Sequence, residues 1–478
     1  MRFSCVPAAI AVALGLLGAS ATPLRAQPIT DSNYRIDLHQ GPVLGSTRVI
    51  GLAGAYAAIA EGAVGLPSNP AAVAHREHYS RDWFDYDLGF DYLKPGTFQT
   101  KNFDLDGNRR ALPTSFNMFN AGGLLQFGAF GVGIHFQGQF SQFEDQSIPP
   151  QTFAASLTQL HLTVGYALLD HQLVIGGGFT LASFDVNHTQ IGQQEERDSF
   201  SSQVPGLELG VLLRPKNLPV RFAATASFAF QPKVSQDCGT DCPVGYYLPE
   251  GVAVPWQVRV GVTYRWGARR FNAPFRVKKR PRPRPRSRSA HRGSVKPQPE
   301  PQPPPPTTPP PKHKGAPPPS PPSPPSPPLP LPAAKAPVAA RTTTPDGDKV
   351  KPAKEPKPTG EYFVLVSAEV VMTGNVKNAV GTDGFLDQIQ ERAGHRVSVS
   401  ARLGLETEVW KRRLRLRAGT YWEPSRFDGI AGRLHGTVGF AFRLFDFKLW
   451  GPRSLAFSAA FDGAYQYTNL SLSIGFWH

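Results

Sequence analysis

Beyond its first 26 residues this 478-residue chain has no run of the roughly 18 consecutive apolar residues that a transmembrane helix needs. A bilayer span can therefore be built here only from strands. Sustained helical periodicity is also lacking, which argues against a string of soluble helical domains. Cysteine is scarce: of three, Cys5 precedes the first apolar run, the wrong place for a lipidated cysteine, and Cys238 and Cys242 form a C-x3-C pair. Without histidines at ligand spacing, that pair suits a small loop disulfide in an oxidising compartment better than zinc. There is no histidine cluster at metal spacing and no Gly-x-Ser-x-Gly elbow, and His161, His435 and Asp462 have no partner legible in the sequence. The chain is accordingly expected to be no enzyme and to carry no cofactor.

What is present starts with a leader. Arg2 precedes the apolar run Val6–Ala19, and Leu24-Arg25-Ala26 follows it, so residues 1–26 read as a secretory signal peptide cut after Ala26. The rest is dominated by two-residue alternation. In Trp256-Gln257-Val258-Arg259-Val260-Gly261-Val262-Thr263-Tyr264-Arg265-Trp266 one face is apolar and aromatic and the other polar or glycine. The chain ends in the same way at Asn469–His478, and the closing aromatics Phe476 and Trp477 are expected to act as the barrel-assembly signal.

Alternation and turn residues predict about fourteen strands, near 81–93, 114–126, 129–140, 153–168, 171–185, 206–214, 219–230, 255–267, 361–373, 396–410, 412–422, 433–446, 453–465 and 467–477. An open sheet edge would leave backbone groups unpaired in hydrocarbon, so the strands must close on themselves. The expected fold is all-β, a transmembrane antiparallel barrel with about eight strands from 81–267 and six from 361–478. Odd connections are mostly long and even ones tight, which places the even connections, including 268–360, on the periplasmic side.

Charge follows the same face rule. In Arg413-Leu414-Arg415-Leu416-Arg417 the arginines alternate with leucines. An arginine facing lipid at the midplane costs roughly 2–4 kcal/mol, so Arg413, Arg415 and Arg417 are expected in the lumen with Arg402, Glu406 and Glu408 as ion-pair partners.

Residues 27–80 precede the strands. Their central stretch, 44–73, is too rich in small residues for a lipid-facing strand and too apolar for a solvated tail, so it should pack inside the barrel as a plug. Asn69-Pro70 fits a sharp turn, and Gly51 and Gly54 read as packing positions. Here the sequence resembles the outer-membrane long-chain fatty-acid transporter (FadL-type) superfamily, which includes hydrocarbon uptake channels. The resemblance rests on Gly51-x-x-Gly54-Ala55-Tyr56, on Glu61, on Asn69-Pro70-Ala71 and on His435–Phe440. It implies a hatch formed by the N-terminal segment and a fourteen-stranded wall that passes hydrophobic ligands. The same N-terminal block is similar to that of PorV/PorQ-type barrels, which serve protein secretion.

The basic excess lies in one place. Residues 268–360 hold 20 Lys and Arg against 4 Asp and Glu, and the remainder of the chain is near neutral. Arg280-Pro281-Arg282-Pro283-Arg284 opens an arm whose proline density favours extended polyproline II over any packed core. Export leaves such an arm little nucleic acid to meet, so residues 281–358 are expected to contact peptidoglycan or a periplasmic protein.

The sequence therefore points to a protein of the bacterial outer membrane whose partners are the lipid bilayer and a hydrophobic small molecule. Two roles stay open: passive uptake of fatty acids or hydrocarbons, and a structural or secretion-associated barrel tethered by its arm.

Overall fold

The computed structural model describes residues 27–76, 83–96, 102–106, 115–145, 151–190, 197–232, 247–267, 270–272 and 362–477. The expected leader, Cys238, Cys242 and the stretch 281–358 lie outside the described residues. Fourteen long strands form the wall: β1 (Phe84–Pro95), β2 (Ser115–Phe127), β3 (Phe130–Asp145), β4 (Gln151–Leu168), β5 (Leu173–Gln190), β6 (Arg197–Leu213) and β7 (Val220–Ala229) make its first half. The second half comprises β8 (Gln257–Gly267), β9 (Phe363–Thr373), β10 (Ser398–Trp410), β11 (Leu414–Glu423), β12 (Arg433–Lys448), β13 (Pro452–Ala464) and β14 (Tyr467–Phe476). Each strand pairs antiparallel with the next, and β14 returns to β1 from Asn469 opposite Pro95 to Gly475 opposite Gly89. The chain is thus a closed fourteen-stranded antiparallel barrel.

Side chains alternate across this wall as a pleated strand requires. Along β9, Val364, Val370 and Met372 are exposed on the outside, whereas Leu365, Ser367, Glu369 and Val371 are buried within. The outer surface carries Phe90, Phe136, Leu162, Leu209, Val260 and Ile474, all more than a third exposed. Burying such a side chain is worth about 1.5–3 kcal/mol, so a belt of them around a sealed cylinder suits hydrocarbon and not water.

Every predicted strand has its counterpart, but three run further than alternation indicated. β3 continues to Asp145, β5 to Gln190, and β6 begins at Arg197, nine residues before the predicted start. A tilted strand crosses a bilayer in about 9–11 residues, so these extensions project past it. They carry polar residues such as Ser201 and Ser202 outside the lipid-facing pattern, and ladder bonds hold β3 to β4, β4 to β5 and β5 to β6.

The tight turns 128–129, 169–172, 214–219, 411–413 and 449–451 lie on one rim, where β8 also ends and β9 begins. Phe271 and Asn272, which the sequence pattern assigned to the arm, are buried there against β7. Asn272 Nδ2 donates to the carbonyls of Pro215, Leu218 and Val220 at 2.8–3.0 Å.

The opposite rim is covered. A short strand at Arg35–Asp37 pairs in parallel with Gly251–Ala253 and with Ala379–Val380, tying the N-terminal segment to two long connections. Below this cover Ile36, Leu38, Phe153, Phe184, Phe200 and Phe385 share one apolar cluster.

Candidate functional site

From the covered rim the chain runs through the lumen to the short-turn rim. Helix α1 (Thr47–Gly51) starts at Ser46, whose hydroxyl accepts from the Val49 amide at 3.4 Å, and ends at once because Ala53 and Gly54 take positive φ values of 54° and 75°. A side chain at Gly54 would be strained by that φ and would meet Arg402 and Val43. Ala55 is fully buried one residue later, and Gly51 lies against Arg417 and the Gly439 backbone.

Asn69 closes the next bend. Its Oδ1 accepts from Ala71 N at 2.9 Å, starting the 3-10 turn Pro70–Ala74, and its Nδ2 donates to Ala57 O at 3.0 Å and to Val211 O of β6 at 3.3 Å. The wall makes room with glycine: a Cβ at Gly210 would collide with Asn69 Oδ1, and one at Gly176 with the Pro70 carbonyl. At the far end Arg76 Nε donates to Gly128 O at 3.1 Å in the β2–β3 turn. Residues 47–74 are buried apart from Val64 and Pro67, which are half-buried.

The luminal segment and the wall are joined by charge. Arg48 donates from Nε and Nη2 to both oxygens of Glu406 in β10, at 3.0 and 2.9 Å, and from Nη2 to Glu61 at 3.0 Å. Glu61 also accepts from Arg221 of β7 at 2.8 Å, and Glu406 from Arg417 of β11 at 2.7 Å. Burial alone would push the Glu61 carboxyl up, but Arg48 and Arg221 hold it well below the usual carboxylate range. Glu369 of β9 accepts from the amides of Tyr56 and Ala57 at 3.0 and 2.8 Å and lies 3.9 Å from Arg402. Arg415 pairs with Glu408 at 3.3 Å and places its guanidinium 4.3 Å from the Trp477 ring centre. Phe476 ends β14 opposite Leu455.

Arg413 departs from the expectation. It lies in the exposed turn before β11, and its Nη1 donates to the Leu444 carbonyl at 3.4 Å. Pairing between β10 and β11 ends at Trp410 and Leu414, so the alternation that aligned Arg413 with Arg415 has no wall to act on at that point.

Between luminal segment and wall a cavity of about 210 Å³ remains. Val49, Val64, Leu181 and Val204 are among its apolar lining, and Gln137, Gln159, His161, Glu208, Arg259 and Arg402 among its polar lining. His161 Nδ1 lies 3.0 Å from Glu208 Oε2. Arg259 donates to Gln257 at 3.0 Å and, among the described residues, has no carboxylate within ion-pair range. A second cavity, of about 100 Å³, opens at the covered rim beside Phe103, Phe116, Leu157 and Phe184.

Sequence reasoning missed the setting of His435. Its Nδ1 lies 2.9 Å from Asp462 and its Nε2 2.5 Å from Glu423, with Tyr421 donating to Asp462 at 2.7 Å. All four are sealed from solvent, and Tyr421 also accepts from Val43 N at 3.1 Å, so the cluster fastens the luminal segment and offers no substrate a way in. A count along β11, β12 and β13 from the register Tyr421–His435 and Thr437–Asp462 is the signal that would have found it.

No family model matches the sequence, and no curated protein is similar to it in sequence. Solved structures of similar shape do exist. A FadL homologue of Pseudomonas aeruginosa has a TM-score of 0.47 at 10% identity over 92% of this chain and 99% of that one. The monoaromatic hydrocarbon channel CymD scores 0.44 at 10% identity over 90% and 96%, and the P. putida toluene transporter TodX 0.43 at 10% over 91% and 98%.

Proposed function

We propose that this protein is an outer-membrane channel for the passive uptake of hydrophobic small molecules that carry a polar end, with long-chain fatty acids favoured over bare hydrocarbons. The observation that carries the reading is the chamber between luminal segment and wall. Its aliphatic part offers a place for a chain, and Arg259, which pairs with no carboxylate among the described residues, offers a partner for an anionic head. In this reading residues 40–75 are the hatch, and Arg48, Glu61, Arg221, Glu406 and Arg417 are the charges that hold it against the wall. The test is binding of radiolabelled oleate and of toluene to the purified protein, together with permeation into proteoliposomes before and after deletion of residues 40–75. Saturable oleate binding and altered permeation support uptake.

The second role, a structural or secretion-associated barrel, is favoured by one feature. Gly267 and Phe363 place both ends of the basic connection on the short-turn rim, which this reading assigns to the periplasm. A protein that ignores both ligands while crosslinks from residues 281–358 recover peptidoglycan or secretion proteins would establish that role instead.

A further inference from the structure

A group of carboxylates stands apart from the luminal network. Asp104 and Asp106 lie in the connection between β1 and β2, and Asp383 in helix α2 (Thr382–Leu386) of the connection between β9 and β10. One oxygen from each lies within 4.8 Å of the other two. Both carboxylate oxygens of Asp104 are inaccessible to solvent, and neither has a hydrogen-bond partner among the described residues. Buried negative oxygens left without a donor are costly, and two like-charged neighbours add repulsion.

The surroundings fix the loop without giving the Asp104 carboxylate a donor among the described residues. Arg433 donates to the carbonyls of Asn102 and Phe103 at 2.7 and 2.9 Å, Ser425 to that of Leu105 at 2.9 Å, and the Asp106 amide to Asn102 Oδ1 at 3.1 Å. The donors are spent on the backbone, and the loop is held with its carboxylates converging on α2. Gly381 precedes α2, and a Cβ there would meet Phe427 at 2.8 Å and Asp104 Oδ2 at 3.5 Å, so glycine allows the close approach.

We propose that Asp104, Asp106 and Asp383 form a calcium site that pins the loop 102–106 to α2 at the covered rim. Calcium bonds oxygen at about 2.3–2.6 Å in flexible geometry, so one ion can bridge oxygens about 4.8 Å apart. Magnesium, at about 2.0–2.1 Å in strict octahedral geometry, would require the three groups to close up, and zinc prefers nitrogen and sulfur ligands that this group lacks. The assignment is independent of what passes through the lumen.

The experiment uses the full chain in detergent micelles, stripped with EGTA and titrated with CaCl2 or MgCl2 by calorimetry and thermal unfolding. The expected result is saturable calcium binding in the range of about 10⁻⁴–10⁻³ M seen for extracellular modules, a melting temperature that rises with calcium, and weaker magnesium binding. Asp104→Asn and Asp383→Asn should each weaken calcium binding by at least about tenfold, since ligand charge count sets affinity. In EGTA Asp104→Asn should melt no lower than the parent, because it removes repulsion from a carboxylate without a donor. Absence of saturable heat in the parent protein, or undiminished calcium affinity in both variants, overturns the proposal. Should one variant fail to assemble, the parent's calcium and magnesium titrations and the other variant still decide.

Discussion

Arg48 of the luminal segment grips Glu406 of the wall with two hydrogen bonds, at 3.0 and 2.9 Å, and Glu406 is 1% exposed. A third bond from Arg417 makes this carboxylate the acceptor for two buried guanidinium groups. Removing one partner of a buried ion pair leaves uncompensated charge and costs about 3–5 kcal/mol. Glu406→Gln is therefore expected to destabilise the barrel by that order, read as a lower midpoint in urea unfolding monitored by heat-modifiable electrophoretic mobility. An unfolding free energy within about 0.5 kcal/mol of the parent would show that the network contributes little.

Gly210 tests whether the wall was shaped around the luminal segment. Gly210→Val would drive a side chain into Asn69 and Pro70, and overpacking of this kind costs typically about 1–3 kcal/mol. The same substitution in a chain lacking residues 40–75 should be nearly neutral. Equal loss in both backgrounds, measured by unfolding, would mean that the clash is not with that segment.

His75 gives the fold a pH dependence. Burial, with Arg214 and Arg221 nearby, holds its ring well below the usual histidine range despite Glu61, and its Nδ1 meets Ala60 O at 2.6 Å. The unfolded chain takes up the proton near pH 6.5 while the folded one resists it. Stability should therefore be full above about pH 7 and fall as the solution is acidified through 6.5. His75→Gln should flatten that slope in melting temperatures taken from pH 8 to 5; an unchanged slope would assign the effect elsewhere.

Arg259 separates the head of a ligand from its tail. Charged hydrogen bonds contribute about 1.5–3 kcal/mol, so Arg259→Gln should weaken binding of oleate by about tenfold or more and leave its methyl ester unaffected. Equal effects on acid and ester would remove the guanidinium from head-group recognition.

Deleting residues 281–358 should leave assembly and melting temperature unchanged, since every wall strand and its ladder lie outside that stretch. Failure of the shortened chain to form heat-modifiable barrels would show that the stretch takes part in folding.

Much of the wall is legible in the sequence, and the places where it is not have a physical cause. Strands that face lipid on one side and the lumen on the other print their period directly, as β8, β9 and β14 do. The extensions of β5 and β6 leave the bilayer; there Val186, Phe200 and Val204 turn inward to the cluster beneath the cover and the outward face is polar, so the lipid-facing pattern stops. The luminal segment is recognisable from its small residues, and the turn at Asn69-Pro70 from local backbone preferences. Its partners are not, because Glu406, Arg221 and Asp91 come from strands far away in sequence.

What the sequence determined by itself was the period, and with it a closed cylinder wetted within and apolar without, because side-chain direction along a strand is local geometry. Which charges meet was decided only by the tertiary structure. Arg417 reaches Glu406 while Arg413 ends in solvent, although both obey one alternation. Ion pairing depends on register and on where a strand stops. Those are settled by neighbouring chain segments, as is the convergence of Asp104, Asp106 and Asp383 from two connections that share no sequence pattern.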